Sequence, residues 1–130
     1  MILLDTHVAV WLLLEPRSLS RPATSAIRRS RQGGGLAVSS ISLWEMAWLF
    51  HRGRLQAPGT VEAAIRSVVD VGFNVRPITA EIAALSAQFP KDYPNAPADR
   101  LIGATARAEG LTLVTRDRRI QQCPLLKTIW

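Results

Sequence analysis

Acidic residues are scarce in this chain: ten Asp and Glu stand against sixteen Lys and Arg among 130 residues. Four of the ten occupy positions from which a carboxylate can do chemistry. Asp5 closes the apolar run Met1–Leu4. Asp117 follows the apolar run Leu111–Val114 after two intervening residues. Asp99 falls in the first turn of a predicted helix. Glu45 interrupts an apolar helical segment whose members include Ile41, Trp48 and Leu49. In an open α/β sheet the ligand crevice lies outside the carboxyl ends of the strands. Asp5 and Asp117 are expected at that edge, and Glu45 and Asp99, each close to a helix start, can reach it.

Four carboxylates in one crevice repel one another; two unit charges 4 Å apart cost about 4 kcal/mol at an effective dielectric of 20. Such a cluster persists if the groups share protons or if a cation neutralises them. An all-oxygen site favours Mg²⁺ or Mn²⁺ over zinc, which prefers His and Cys. Water held by such an ion and deprotonated by or through a carboxylate can attack a phosphodiester. Each acid also has a plain structural reading. Asp5 can cap the following helix, Asp99 can favour a helix start or pair with Arg100 or Arg107, and Asp117 can be an ordinary turn residue. Glu45 on an apolar face needs a partner, for which a nearby arginine would serve. The four positions carry weight jointly, not singly.

The elements that must hold these residues alternate. Met1–Leu4 and Leu36–Val38 read as short buried strands, Phe73–Ile78 and Leu111–Thr115 as two more, and Lys127–Trp130 as a final edge strand. Between them lie predicted helices over Val8–Leu14, from Ser20-Arg21-Pro22 to about Arg31, and over Ile41–Phe50, Pro58–Val71, Thr79–Phe89 and Ala98–Glu109. Thr6 is a candidate cap for the first and Gly110 a stop for the last. The alternation predicts an α/β fold, a parallel sheet sandwiched by helices. Gly33-Gly34-Gly35 reads as a turn, because no basic residue plus Ser or Thr follows it in phosphate-loop order.

Composition bounds the rest. The length fits one domain over residues 1–130, and 48% hydrophobic residues with mean hydropathy +0.11 supply a core and exclude disorder. Cys123 has no intramolecular mate, so a disulfide scaffold is excluded. The longest apolar run, Val8–Leu14, falls short of the about 20 residues a membrane span needs, and no basic region precedes it as a signal peptide would require. A soluble protein of the cytoplasm is expected. The +6 net charge suits a polyanionic partner.

In this order and at these separations, ILLDTHVAVW, SSISLWEMAWL and ADRLIGATARAEGLTLVTRD resemble the PIN-domain ribonucleases, and within them the VapC-type toxins of bacterial toxin–antitoxin pairs. The resemblance spans nearly the whole chain. It implies a three-layer α/β/α sandwich with a mainly parallel sheet of four or five strands. It implies a metal-dependent endoribonuclease with Asp5, Glu45, Asp99 and Asp117 around Mg²⁺ or Mn²⁺, and Thr115 helping to orient the site. Thr6, beside the first acid, matches a residue that assists similarly. The products would be a 5′-phosphate and a 3′-hydroxyl. Arg116, Arg118 and Arg119 would contact RNA phosphates, and a cognate antitoxin and a second copy of the chain are the implied protein partners. One departure is Ala96, where relatives often carry an acid; Asn95 is the candidate to replace that loop contact.

Trp11, Trp44 and Trp48 are read either as core or as a partly exposed apolar groove suited to an antitoxin or a dimer contact. His7 and His51 read as surface or loop histidines. Three other classes compete. A haloacid-dehalogenase-type phosphatase needs a second Asp where His7 stands. A DNA-directed flap nuclease needs more helical segments than 130 residues allow. A non-catalytic RNA-binding module would gain nothing from four acids in its crevice.

Overall fold

A computed structural model describes all residues, 1–130. Five strands, β1 (Ile2–Leu4), β2 (Leu36–Ser39), β3 (Asn74–Arg76), β4 (Leu113–Val114) and β5 (Thr128–Ile129), form one sheet in the order β3-β2-β1-β4-β5, every neighbouring pair parallel. Seven helices connect them: α1 (Thr6–Leu14), α2 (Arg21–Gln32), α3 (Ser40–His51), α4 (Val61–Asp70), α5 (Ala80–Ser86), α6 (Pro97–Glu109) and α7 (Arg118–Gln121). No helix is long and apolar enough to cross a membrane.

The central strands β1, β2 and β4 are short, buried and almost wholly apolar because both sheet faces are covered there, whereas the edge strands β3 and β5 carry polar residues and are only partly buried. Leu3, Ala37 and Leu113 point into one core layer with Ile82, Tyr93, Ile102 and Ile120. Their strand neighbours Leu4, Leu36, Val38 and Val114 point into the other, with Val8, Ile27, Met46 and Val68. This is the expected three-layer sandwich. The chain winds from β1 out to β3 on one side, then returns through α5 and α6 to β4 on the other side of β1. Strand order therefore reverses between β1 and β4, and the crevice at their carboxyl ends is where such folds bind ligands.

Several boundaries differ from the sequence expectation, each for a local reason. Helix α4 starts at Val61, not Pro58, because the Thr60 hydroxyl accepts the Ala63 N–H at 3.1 Å and caps it there. Helix α1 starts at Thr6, since Asp5 and not Thr6 supplies the cap. The segment after Asp117, without a predicted element, winds into the single turn α7. Ser20 caps α2 as expected, and Gly110, at φ +65°, ends α6 in the left-handed conformation.

Gly103 matters for the site. A Cβ on this residue would collide with the Tyr93 hydroxyl and the Phe89 ring. Its bare backbone lets Tyr93 lie across α6, stacked on Phe89 at 4.2 Å, and donate a 2.8 Å hydrogen bond to the carbonyl of Asp99. Gly103→Ala is expected to lower stability by about 1–3 kcal/mol through overpacking. The urea unfolding midpoint measures this, and an unchanged midpoint would contradict the close approach.

Candidate active site

Asp5 follows β1 directly and is 3% exposed. Its Oδ1 accepts the Thr6 N–H at 2.8 Å, so it does cap α1. Its Oδ2 accepts the Thr115 hydroxyl at 2.7 Å. Thr115 follows β4 directly and is fully buried. The same Thr115 oxygen accepts the Asp117 N–H at 3.1 Å. One hydroxyl thus ties the acid after β1 to the loop that carries the acid after β4, which adjacent parallel strands make possible.

Asp117 caps α7, its Oδ1 accepting the N–H groups of Arg119 at 2.8 Å and Ile120 at 3.3 Å. The plain structural reading of this residue is geometrically true, and Oδ2 lies outside the cap. Glu45, half-buried on α3, has no arginine partner; the Thr6 hydroxyl donates to its Oε1. Ser42 Oγ lies 2.9 Å from the same Thr6 oxygen. Desolvation, with a smaller contribution from the negative charge of Asp5, holds the Glu45 carboxyl above the usual range, and the Thr6 hydrogen bond opposes both.

Asp99, in the first turn of α6, carries the clearest electrostatic signal. Burial pushes its carboxyl up to about 6, with further contributions from Asp5, Glu45 and Asp117, and only Arg119 pulls it down. Arg100 does not pair with it. That guanidinium turns away to donate to the Ser86 carbonyl and to Asn95 Oδ1, both at 3.2 Å. Asn95 therefore supplies the loop contact next to Ala96, whose side chain makes no cap.

The four acids interact across one crevice, yet no three His, Cys, Asp or Glu side chains stand together as a ready-made metal-binding group. The donor chemistry nevertheless fits a hard divalent cation. All four groups are carboxylates, Asp5 is buried, and the mutual repulsion felt at Asp99 is what a cation would relieve. Magnesium commonly keeps several of its waters, so a site for it does not require every acid to touch the ion directly.

The expected RNA-binding arginines Arg116, Arg118 and Arg119 are all exposed. The Arg116 guanidinium lies 5.7 Å from the Trp11 ring centroid, and Arg119 donates to the Asp92 carbonyl at 3.1 Å. Sequence reasoning missed His7. Its Nε2 accepts the Arg116 N–H at 3.1 Å, so the ring proton sits on Nδ1, 3.6 Å from Asp5 Oδ2. Its position two residues after Asp5, in the first turn of α1, was the available signal. Trp44 and Trp48 are not core: they are 57% and 42% exposed.

Comparison with known proteins agrees with this geometry. The PIN domain family model matches residues 2–124. Ribonuclease VapC22 of Mycobacterium tuberculosis is 40% identical over 99% of this chain and 98% of its own length. The fold resembles VapBC2 from Rickettsia felis bound to a promoter DNA fragment, with TM-score 0.72, 20% identity, and coverage of 98% of this chain and 97% of that one. It also resembles a toxin–antitoxin complex from Klebsiella pneumoniae, with TM-score 0.66, 24% identity, and coverage of 97% and 95%. With its acids at the reversal point of a five-stranded parallel sheet and a family match over nearly its full length, this chain belongs to the PIN-domain family.

Proposed function

We propose that this protein is a divalent-metal-dependent endoribonuclease and the toxin of a VapBC-type pair, restrained in the cell by a cognate antitoxin. The observation that carries the reading is the crevice itself: the Thr115 hydroxyl joins Asp5 to the Asp117 loop, Thr6 joins the start of α1 to Glu45, and Asp99 is half-buried and near enough to feel the other three carboxylates. The 40% identical relative is named a ribonuclease, and the structural neighbours are toxin–antitoxin complexes. Residues 1–130 act as one domain, in the cytoplasm, as a homodimer.

Asp5, Glu45, Asp99 and Asp117 would hold Mg²⁺ or Mn²⁺, directly or through water. The chemistry such an ion supplies is activation of a water for attack on phosphorus and screening of the charge that develops there. Asp5 is held fixed, its two oxygens oriented by the Thr6 N–H and the Thr115 hydroxyl. Asp99 or Glu45 takes the proton from the attacking water. The 2′-hydroxyl is not needed, so the products carry a 5′-phosphate and a 3′-hydroxyl. Arg116, Arg118 and Arg119 neutralise flanking phosphates, an attraction that weakens with salt.

Incubation of the purified chain with total RNA tests the class. Cleavage is expected with Mg²⁺ or Mn²⁺ and not with EDTA, whereas a non-catalytic RNA-binding module would bind RNA without shortening it. Asp5→Ala should reduce cleavage by at least about 100-fold while the protein stays folded. Thr115→Val, which removes the hydroxyl's two orienting hydrogen bonds, to Asp5 and from the Asp117 N–H, and no proposed ligand, should cost about 10- to 100-fold. Normal cutting by Asp5→Ala under the same metal conditions would sink the assignment.

The raised Asp99 carboxyl also predicts a pH dependence of stability. Its ordinary value is 3.8 and its folded value about 6, so the folded, ion-free protein binds this proton more tightly than the unfolded chain does. That contribution is complete below the ordinary value and is lost as pH rises through the folded one. In EDTA, Asp99→Asn should melt at a higher temperature than the parent at pH 7.5, and the difference should shrink toward pH 5. Thermal melts of both proteins across this range measure it; a constant difference would contradict the prediction.

A further inference from the structure

Next to Glu45, α3 presents a cleft of about 320 Å³ lined by Trp44, Glu45, Trp48, Leu49 and Arg52. That volume is at the small end of ligand-binding sites. Trp44 and Trp48 are adjacent on one helical face and meet edge to face, ring centroids 6.4 Å apart and planes at 78°. The Arg52 guanidinium sits 5.0 Å from the Trp48 ring centroid, and His51 meets the same ring edge-on at 5.8 Å. Large aromatic side chains this open on a small domain are unusual unless something covers them.

We infer that Trp44 and Trp48 form a stacking platform for an unpaired nucleobase of the RNA substrate, with Arg52 receiving an adjacent phosphate. The inference rests on the ribonuclease reading and adds a substrate subsite to it. Three observations favour a nucleic acid over an apolar protein surface. Glu45 belongs to the cleft and to the carboxylate crevice at once, so a base held here lies beside the phosphodiester to be cut. A cation stands over Trp48, beside the open ring of Trp44, a combination of cation and aromatic rings by which single-stranded nucleic acid is gripped without base-specific hydrogen bonds. The chain as a whole carries +6, complementary to a polyanion. A stacked base requires a single-stranded or looped target, because bases in a duplex have no free face. The subsite therefore selects for unpaired RNA around the cut and sets which flanking nucleotide is tolerated least when absent.

The test uses the full-length protein and a set of single-stranded RNA 10-mers, each lacking the base at one position. Binding is measured in EDTA, where no hydrolysis occurs, and cleavage separately with Mg²⁺ or Mn²⁺. Loss of one particular base should weaken binding to the parent by about 5- to 150-fold, the range expected for one aromatic–base stack. The same loss should have little further effect in Trp44→Ala or Trp48→Ala, and Trp44→Phe should restore part of the difference. In cleavage assays the alanine variants should raise KM more than they lower kcat. If the variants bind and cut every 10-mer as the parent does, the subsite is refuted while the ribonuclease reading stands. If they leave RNA binding intact but alter sedimentation or antitoxin capture, the patch is a protein interface and the inference is overturned. If the parent cuts no RNA in any metal, the underlying reading fails, and the EDTA titration still decides whether a base stacks here.

Discussion

Repulsion among four carboxylates gathered at one sheet edge is the constraint around which this molecule is arranged. Asp5, Glu45 and Asp117 all raise the proton affinity of Asp99, and Arg119 alone acts against them. The fold offsets part of this cost without surrendering the negative charge. Asp5 caps α1, Asp99 lies in the first turn of α6 and Asp117 caps α7, so three of the four acids sit at helix N-termini. Backbone N–H groups and the helix dipole each favour an anion there by about 0.3–1 kcal/mol.

A second layer of neutral groups keeps the acids in place. Thr115 couples Asp5 to the Asp117 loop, Thr6 serves Glu45, and Tyr93 reaches over Gly103 to hold the backbone at Asp99. None of these partners carries a charge that would cancel the site. His7 adds a further link, its Nε2 accepting the backbone N–H of Arg116 and so tying the start of α1 to the segment after β4. Such outer contacts orient ligands in metal sites generally.

Charge is distributed by depth. The acids are buried or half-buried, whereas Arg116 and Arg119 stand exposed at the rim of the crevice and Arg118 is exposed beside them on α7. The exposed tryptophans on α3 extend that rim on the Glu45 side.

Much of this was legible in the chain because it is local. The short apolar runs Met1–Leu4 and Leu36–Val38 read as central strands because covered sheet faces favour apolar residues there. The strand–helix alternation, the carboxyl-edge placement of Asp5 and Asp117 and the helix-start position of Asp99 all followed. Helix starts were less legible: Pro58 and Thr60 both suit one, and only the side-chain cap on Ala63 chose between them. Whether Trp44 and Trp48 are core or exposed was left open because α3 is apolar on nearly every face, so its sequence has no stripe to mark the inside; both prove exposed. The partners of the acids could not be read at all. Thr115 meets Asp5 across 110 positions and His7 meets Arg116 across 109. Those contacts exist because β1 pairs with β4 and not with the strand that precedes β4 in the chain, a choice made by the packing of helices on both sheet faces. Residue types and their spacing determined which groups this protein brings to its site; the tertiary structure alone decided which of them touch, since a hydrogen bond depends on distance in space and the chain records only distance along itself.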